Sequence, residues 1–204
     1  MELFFNKNRE IEVTGVEKGT TVEDFLEGNS AFLQKHPLSC FTCNDNCCRQ
    51  GWDIVLDIVF ANRYCQKKNN SLKYFFQHFV SFNALESPVF KQEICSFLSS
   101  EGKCQIYGWR PFICRAYTCY PESISYLVLR DIIVRGMSLL LSKKIMSEVK
   151  TVEIPQHPGS SIINVSQNDL LEMTAYNVEI TQLAQEIDSF LSSREKEVFN
   201  RLLK

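Results

Sequence analysis

The distribution of cysteine constrains this chain more than any other feature of its sequence. Eight of the nine cysteines fall into two compact groups, one over residues 40–48 and one over residues 95–119. The ninth, Cys65, lies between the groups in an apolar stretch that is typical of a buried helix, where an inert thiol is common. The eight clustered cysteines are Cys40, Cys43, Cys47, Cys48, Cys95, Cys104, Cys114 and Cys119.

The spacing inside the first group indicates metal ligation. Cys40 and Cys43 form a C-x-x-C step, which lets two sulfurs converge on one tetrahedral ion at a metal–sulfur distance of about 2.3 Å. The polar residues 44–46 suit the turn that follows. Cys47 and Cys48 are adjacent, and neighbouring side chains diverge in most backbone conformations. The pair therefore indicates either two nearby metals or one ligand with a supporting partner.

Basic residues accompany the cysteines. Four thiolates around one zinc ion leave a net charge of about −2, which hydrogen bonds or nearby cations must offset. Arg49 follows the first group, and Lys103, Arg110 and Arg115 lie within the second. We expect these side chains to balance the charge of bound thiolates. The spacing does not decide which sulfurs share an ion.

Disulfide bonds are the alternative explanation for clustered cysteines. The first ten residues lack the apolar stretch of a secretory signal, so we expect a cytoplasmic protein. Reducing thiol pools keep cytoplasmic disulfides rare and leave metal binding or catalysis as the usual reasons for cysteine clustering. We therefore predict zinc or an iron-sulfur cluster, such as a 4Fe-4S centre, as the cofactor.

The composition disfavours nucleic acid and membrane as partners. Lys and Arg number 22 against 24 for Asp and Glu, so no strong positive field would attract phosphate groups. The most apolar stretch, Ile132 to Leu141, is interrupted by polar residues and falls short of the roughly 20 residues that cross a bilayer. Metal ions are the expected partners, and a protein partner is left open.

The periodicity predicts a mainly α fold with a small β element, in which irregular cysteine-rich metal-binding loops pack on a helical scaffold. Two short β-favouring runs lie between Leu3 and Val16. Thr21 is the expected N-cap of a helix that runs toward Gln34, and Asp57 that of a helix through Lys67. A further helix carries apolar residues between Leu72 and Val80.

The second half of the chain is expected to be helical outside the cysteines. A helix over 89–98 would deliver Cys95, and another spans about 122–149. After a Pro-Gly loop at 155–159, Ser166 or Asn168 would cap one long amphipathic helix. Its expected buried stripe is Leu170, Leu171, Ile180, Leu183, Ile187 and Leu191.

We expect a single domain over residues 1–204. Within it, residues 38–121 would form the cysteine cluster metal-binding region, and residues 122–204 a C-terminal helical region.

Other polar and aromatic residues near the clusters have simpler interpretations than catalysis. Trp52 and Trp109 would shield the metal sulfurs from water. His36 precedes Cys40, yet eight sulfurs already satisfy two tetrahedral ions. Asp53 and Asp57 are best explained by helix entry and capping. No hydrolase motif is present, and the sequence does not decide whether the protein is an enzyme.

The two cysteine groups together resemble a known family. Cys40 to Cys48, Gly102-Lys-Cys104-Gln-Ile-Tyr107 and Cys114-Arg-Ala-Tyr-Thr-Cys119 look like the YkgJ-type cysteine cluster proteins of bacteria and archaea, which are zinc- or iron-chelating domains. Cys95-Ser-Phe-Leu and Arg110-Pro111 add to this likeness, which spans about residues 38–121. The resemblance implies that all eight clustered cysteines are the chelating set.

One departure from the usual family pattern points to a related group. Three residues, 44–46, separate Cys43 from the Cys-Cys pair, where the family usually has two. This spacer, followed by Gly51-Trp-Asp-Ile54 and Asp57, is similar to the cysteine-rich flagellin lysine N-methylases. That similarity implies an iron-sulfur enzyme or accessory that uses S-adenosylmethionine. The chain is short for a full methylase and has no Gly-rich nucleotide loop.

Overall fold

A computed structural model describes residues 1–37, 48–49, 52–85, 87–91, 94–148, 173 and 175–203. Helices hold most of the regular structure in these residues, which confirms the predicted mainly α fold with a small β element. The strands are β1 (Glu2–Phe5), β2 (Ile11–Thr14), β3 (Val80–Phe82) and β4 (Pro88–Phe90). The helices are α1 (Val22–Lys35), α2 (Ile58–Lys68), α3 (Leu72–Phe79), α4 (Phe112–Ala116), α5 (Ile124–Glu148), α6 (Ile180–Glu186) and α7 (Ser193–Leu202).

The predicted N-terminal hairpin is confirmed. β1 and β2 pair antiparallel, with Phe5 opposite Ile11. The outer edge of β2 binds the end of the second cysteine segment, because the Ile11 N–H donates to the Pro121 carbonyl (2.8 Å) and the Ser123 N–H donates to the Ile11 carbonyl (3.0 Å). The hairpin thus holds the residues that follow the second cysteine group.

Helix capping follows the sequence closely. The Thr21 hydroxyl accepts from the Asp24 N–H, and the Asp24 carboxylate accepts from the Thr21 N–H in return, so α1 begins with a capping box. Asp57 caps α2 as predicted, and Asn69 ends that helix in the left-handed conformation. These local signals fix the starts of the helices on either side of the first cysteine group.

α5 is the central helix of the described structure. It packs against β2, α2, α3, α6 and α7, and the neighbouring pairs Ile132–Ile133 and Leu140–Leu141 are all buried. Apolar cover on several sides explains why its sequence shows no single polar face. One cluster of buried side chains extends from Ile11 to Phe199 through these elements.

Two predicted helices are corrected. Residues 88–90 form β4 rather than the start of a helix over 89–98, since the β-branched and aromatic side chains there pair with β3. Cys95 consequently lies in an irregular segment. In place of one long C-terminal helix, α6 ends at Glu186 and Ser192 caps a separate helix, α7.

Within the described residues the expected apolar stripe of that helix is confirmed, because Ile180, Leu183, Ile187 and Leu191 are buried. The 155–159 loop, Ser166, Asn168, Leu170 and Leu171 lie outside the described residues. None of the helices in the described part of the chain is both long enough and apolar enough to cross a bilayer.

Candidate metal centre

Five of the eight predicted ligands lie in the described residues, and they come from three places in the fold. Cys48 ends the first group, Cys95 and Cys104 flank a tight turn, and Cys114 lies on α4 with Cys119 just after it. Cys119 is exposed and the other four are half-buried. Cys40, Cys43 and Cys47 lie outside the described residues.

The two cysteine groups meet through the backbone. The Cys95 N–H donates to the Cys48 carbonyl at 3.1 Å. Beside this contact Arg49 lies against Gly102, where a Cβ would approach its Nη2 to 3.1 Å. Gly102 also has a φ of +77°, which favours glycine. Residues far apart in the sequence are therefore neighbours here.

A small hairpin brings Cys104 back toward Cys95. The Ser99 N–H donates to the Lys103 carbonyl, and the Gln105 N–H to the Phe97 carbonyl at 2.8 Å. Burial raises the pKa of the Cys104 thiol, and the nearby Cys95 raises it further, whereas the Ile106 N–H and Arg110 act in the opposite direction. The pairing of Leu98 with Cys104 places Cys104 opposite the segment that carries Cys95.

Two buried carbonyl contacts hold the C-terminal end of α4, the short helix that carries Cys114. The Asn29 amide of α1 donates to the Arg115 carbonyl at 2.8 Å. The Tyr126 hydroxyl of α5 donates to the Ala116 carbonyl at 2.7 Å. Both side chains are almost wholly buried.

Asp57 holds the N-terminal end of α4. Its carboxylate accepts from the Phe112 N–H (2.7 Å) while also capping α2 through the Phe60 N–H (2.8 Å). The Tyr176 hydroxyl donates to the same carboxylate at 3.2 Å. Burial raises the pKa of Asp57, and these three hydrogen bonds and Arg63 oppose that shift.

The predicted basic residues play different parts. The Arg110 guanidinium lies 3.9 Å from the Tyr107 ring centroid and partly opposes the rise that burial causes in the pKa of Cys104. Arg115 is directed to Glu23, at 3.7 Å, and to the ring of Tyr176, and exposed Lys103 pairs with Glu101. Arg110 is accordingly the best supported of the predicted charge-balancing residues.

The two tryptophans differ in environment. Trp109 stacks on Phe60 with ring centroids 5.7 Å apart and also contacts Tyr64 and Phe97, so it belongs to the aromatic core. Trp52 is 53% exposed and meets Tyr117 edge-on at 5.8 Å. Shielding of sulfurs by these rings stays a prediction.

His36, His78 and Asp53 form no metal-binding group with the described cysteines. The His36 ring packs against Phe5 and Phe32, and its carbonyl accepts from the Tyr120 hydroxyl at 3.3 Å. His78 stacks on Tyr74, and Asp53 is exposed. Among the residues that the structure describes, no three His, Cys, Asp or Glu side chains form a group that could hold a metal ion.

Sequence reasoning missed the side chains that hold α4. Asn29 was detectable, because it occupies a position in the apolar stripe of Val22, Phe25, Leu26 and Phe32. Tyr176 gave no local signal, since its bond to Asp57 joins residues 119 positions apart. Long-range contacts of this kind depend on the completed fold.

Comparison with known families agrees with the cysteine pattern. Residues 39–131 match the family model CxxCxxCC, described as "Putative zinc- or iron-chelating domain". No curated protein and no solved structure matches the chain. The matched range includes all eight clustered cysteines and the elements that join them, β3, β4 and α2 to α4. Residues 39–131 therefore match the CxxCxxCC family, in agreement with the resemblance that the two cysteine groups indicate.

Proposed function

We propose that this protein binds zinc or an iron-sulfur cluster through Cys40, Cys43, Cys47, Cys48, Cys95, Cys104, Cys114 and Cys119. The observation that carries the proposal is the 3.1 Å backbone hydrogen bond between Cys95 and Cys48. Because this bond makes the two cysteine groups neighbours, sulfurs from both can reach one centre. The family match over residues 39–131 supports zinc or iron as the bound metal.

The cysteines that the structure describes supply only part of the ligand set for such a centre. No three donors in the described ranges form a metal-binding group, so the centre requires sulfurs from the stretch containing Cys40, Cys43 and Cys47. A C-x-x-C step from that stretch supplies two tetrahedral ligands. Cys48 directly follows that stretch in the sequence, and the Cys95 N–H donates to the Cys48 carbonyl at 3.1 Å.

A bound metal would change the protonation of Cys104. Burial raises the pKa of this thiol, so the unbound side chain favours the neutral form. A coordinated metal deprotonates its thiol ligands, and Arg110 already favours the thiolate. When bound, zinc would cross-link the two cysteine groups, and an iron-sulfur cluster would add electron transfer or an open iron position.

The proposal extends to the organisation of the chain and to its location. A single cluster of buried side chains from Ile11 to Phe199 supports one domain over residues 1–204, with the metal region at 38–121 packed on the other helices. Thiolate ligation on this scale requires a reducing compartment, which supports the cytoplasm.

Metal content of purified protein tests the proposal. We expect anaerobically prepared protein to contain zinc, or iron with acid-labile sulfide, in a fixed ratio to the chain. Cys43→Ser and Cys114→Ser should each lower that ratio, because each removes one proposed ligand. Cys65→Ser is the matched control, since Cys65 lies on α2 outside both groups and should leave the ratio unchanged.

The visible spectrum then separates the two metals. A brown protein bleached by reductant would identify an iron-sulfur centre. That result would favour the alternative function, an iron-sulfur enzyme or accessory related to the S-adenosylmethionine-dependent lysine methylases. A colourless protein with about two zinc ions would identify closed tetrahedral sites. Metal-free native protein with its clustered cysteines joined in disulfides would refute both.

A further inference from the structure

The buried carboxylate of Asp57 joins three separate parts of the fold. The residue is 3% exposed and lies just before α2. Oδ1 accepts from the Phe60 N–H, Oδ2 accepts from the Phe112 N–H, and the Tyr176 hydroxyl lies within hydrogen-bond distance of both oxygens, at 3.2 and 3.3 Å. One side chain thus links α2, α4 and the segment that precedes α6.

Helix capping alone does not require this arrangement. Ser, Thr or Asn could cap α2 equally well through a single oxygen, without the unfavourable burial of a carboxylate. The second oxygen is what reaches α4. That helix has five residues, too few to be stable by itself, so its position depends on the groups that hold its ends.

Cys114 lies two residues after the amide that Asp57 holds. The C-terminal end of α4 is held separately, by Asn29 and Tyr126 through the carbonyls of Arg115 and Ala116. Tyr176 adds a second link, because the guanidinium groups of Arg63 and Arg115 lie 5.4 and 5.3 Å from its ring centroid. The Asp57–Tyr176 pair therefore contacts both α2 and α4.

We propose that Asp57 is a positioning residue for the metal centre, which acts through the Phe112 N–H to fix α4 and so the direction in which Cys114 presents its sulfur. This inference rests on the proposed function. It assigns Asp57 a role beyond capping α2, and it predicts that metal binding weakens when the second oxygen is lost although no ligand has changed.

Cobalt binding tests the proposal, with Co²⁺ alone as the probe. Asp57→Asn keeps one oxygen for the cap of α2 but presents an NH₂ group where the Phe112 or Phe60 N–H needs an acceptor. We expect Co²⁺ affinity, measured by chelator competition, to fall about tenfold, as for other residues that orient metal ligands. The ligand-field bands of bound Co²⁺ should also shift, because the thiolate geometry changes.

Leu140→Ala controls for a general loss of stability. Leu140 is 1% exposed on α5, so its truncation weakens the core but removes none of the hydrogen bonds that hold the ends of α4. Bound Co²⁺ in this variant should keep the wild-type spectrum. An Asp57→Asn protein with wild-type affinity and spectrum would overturn the inference. If that variant does not fold, Asp57→Ser decides in the same way, because serine caps α2 well but is too short to serve both helices.

Measurements on the wild-type protein distinguish failure of the proposed function from failure of the positioning role alone. Wild-type protein that takes up no Co²⁺ in a cysteine-dependent manner, and that contains neither zinc nor iron with acid-labile sulfide as purified, would remove the proposed function itself. If the wild type holds an iron-sulfur cluster and takes up no Co²⁺, the iron content of Asp57→Asn decides the positioning role in the same way. Wild-type protein that binds Co²⁺, with Asp57→Asn indistinguishable from it, would remove only the positioning role.

Discussion

Single residues around α4 show that buried polar side chains, rather than the cysteines alone, set the local geometry. Asn29, Asp57 and Tyr126 come from three different helices or their caps and all hold backbone groups of one five-residue helix. Each such bond contributes about 1 kcal/mol, and a buried group left without its partner costs more. The cysteine on α4 is thus held by side chains whose polar groups are hydrogen-bonded within the fold.

A substitution at Gly102 tests the turn that lies beside Arg49. Gly102→Ala should destabilise the protein by about 1–2 kcal/mol, because alanine strains the left-handed φ of +77°. The added Cβ would also press on Arg49, which must move aside. The measurement is the midpoint of urea unfolding with metal bound.

Gly108→Ala is the matched control for that substitution. Gly108 lies in the same cysteine segment, but a Cβ there meets nothing within 4 Å, and its φ is not positive. Its unfolding midpoint should stay near that of the wild type. An equal shift in both variants would show that the turn conformation and the Arg49 contact at Gly102 do not matter.

α6 packs closely against α5 at Gly136. A Cβ built on Gly136 would lie 2.7 Å from the Leu183 Cβ, which is closer than side chains approach. Glycine at this position lets the two helices come together, at the expense of helix propensity. The close approach brings the C-terminal part of the chain onto the central helix.

Gly136→Ala should therefore destabilise the fold although alanine is the better helix former. The gain in propensity is about 1 kcal/mol, and overpacking of a filled interface costs about 1–3 kcal/mol. Gly28→Ala on α1 is the control, because its Cβ would lie close only to the flexible end of the Leu3 side chain, at 2.9 Å, and would be 3.4 Å or more from Met1. Urea unfolding should rank Gly136→Ala clearly below Gly28→Ala. The reverse order would contradict the close packing of α5 and α6.

The elements that sequence predicted well are those with local signals. Thr21 and Asp57 mark helix starts that the structure confirms, because a cap acts on amides two or three residues away. The helix expected over 89–98 was wrong since β4 depends on pairing with β3. The long C-terminal helix was wrong because Tyr176 and Val178 instead accept hydrogen bonds from the start of α1, and because α6 ends at Glu186, inside the predicted apolar pattern.

The candidate centre was predictable as a set of residue types but not as a geometry. Cysteine spacing indicated ligands, and the family match covers the same stretch. The contact between Cys48 and Cys95 and the clamp of α4 by Asp57 and Tyr176 join residues distant in sequence. Such contacts follow from the packing of the whole chain, which a linear pattern does not encode.

Metal removal should affect the molecule unevenly. A thiolate site scarcely exists in an unfolded chain, so its binding energy stabilises the folded cysteine region. After treatment with a chelator under reducing conditions, amide exchange should rise most over residues 38–57 and 94–121. The buried middle of α5, from Leu129 to Leu141, should stay protected because apolar packing holds it. Uniform loss of protection would indicate that metal stabilises the entire fold.

The contact between the Tyr120 hydroxyl and the His36 carbonyl has a consequence for how this architecture can vary. It joins the residue that follows α1 to the residue that follows Cys119. All eight clustered cysteines lie between those two positions, together with α2 and α3, which pack against α5. The contact therefore closes a loop of the chain that carries every clustered cysteine, and changes in the length of its connecting segments could leave the N-terminal hairpin and α1 in place.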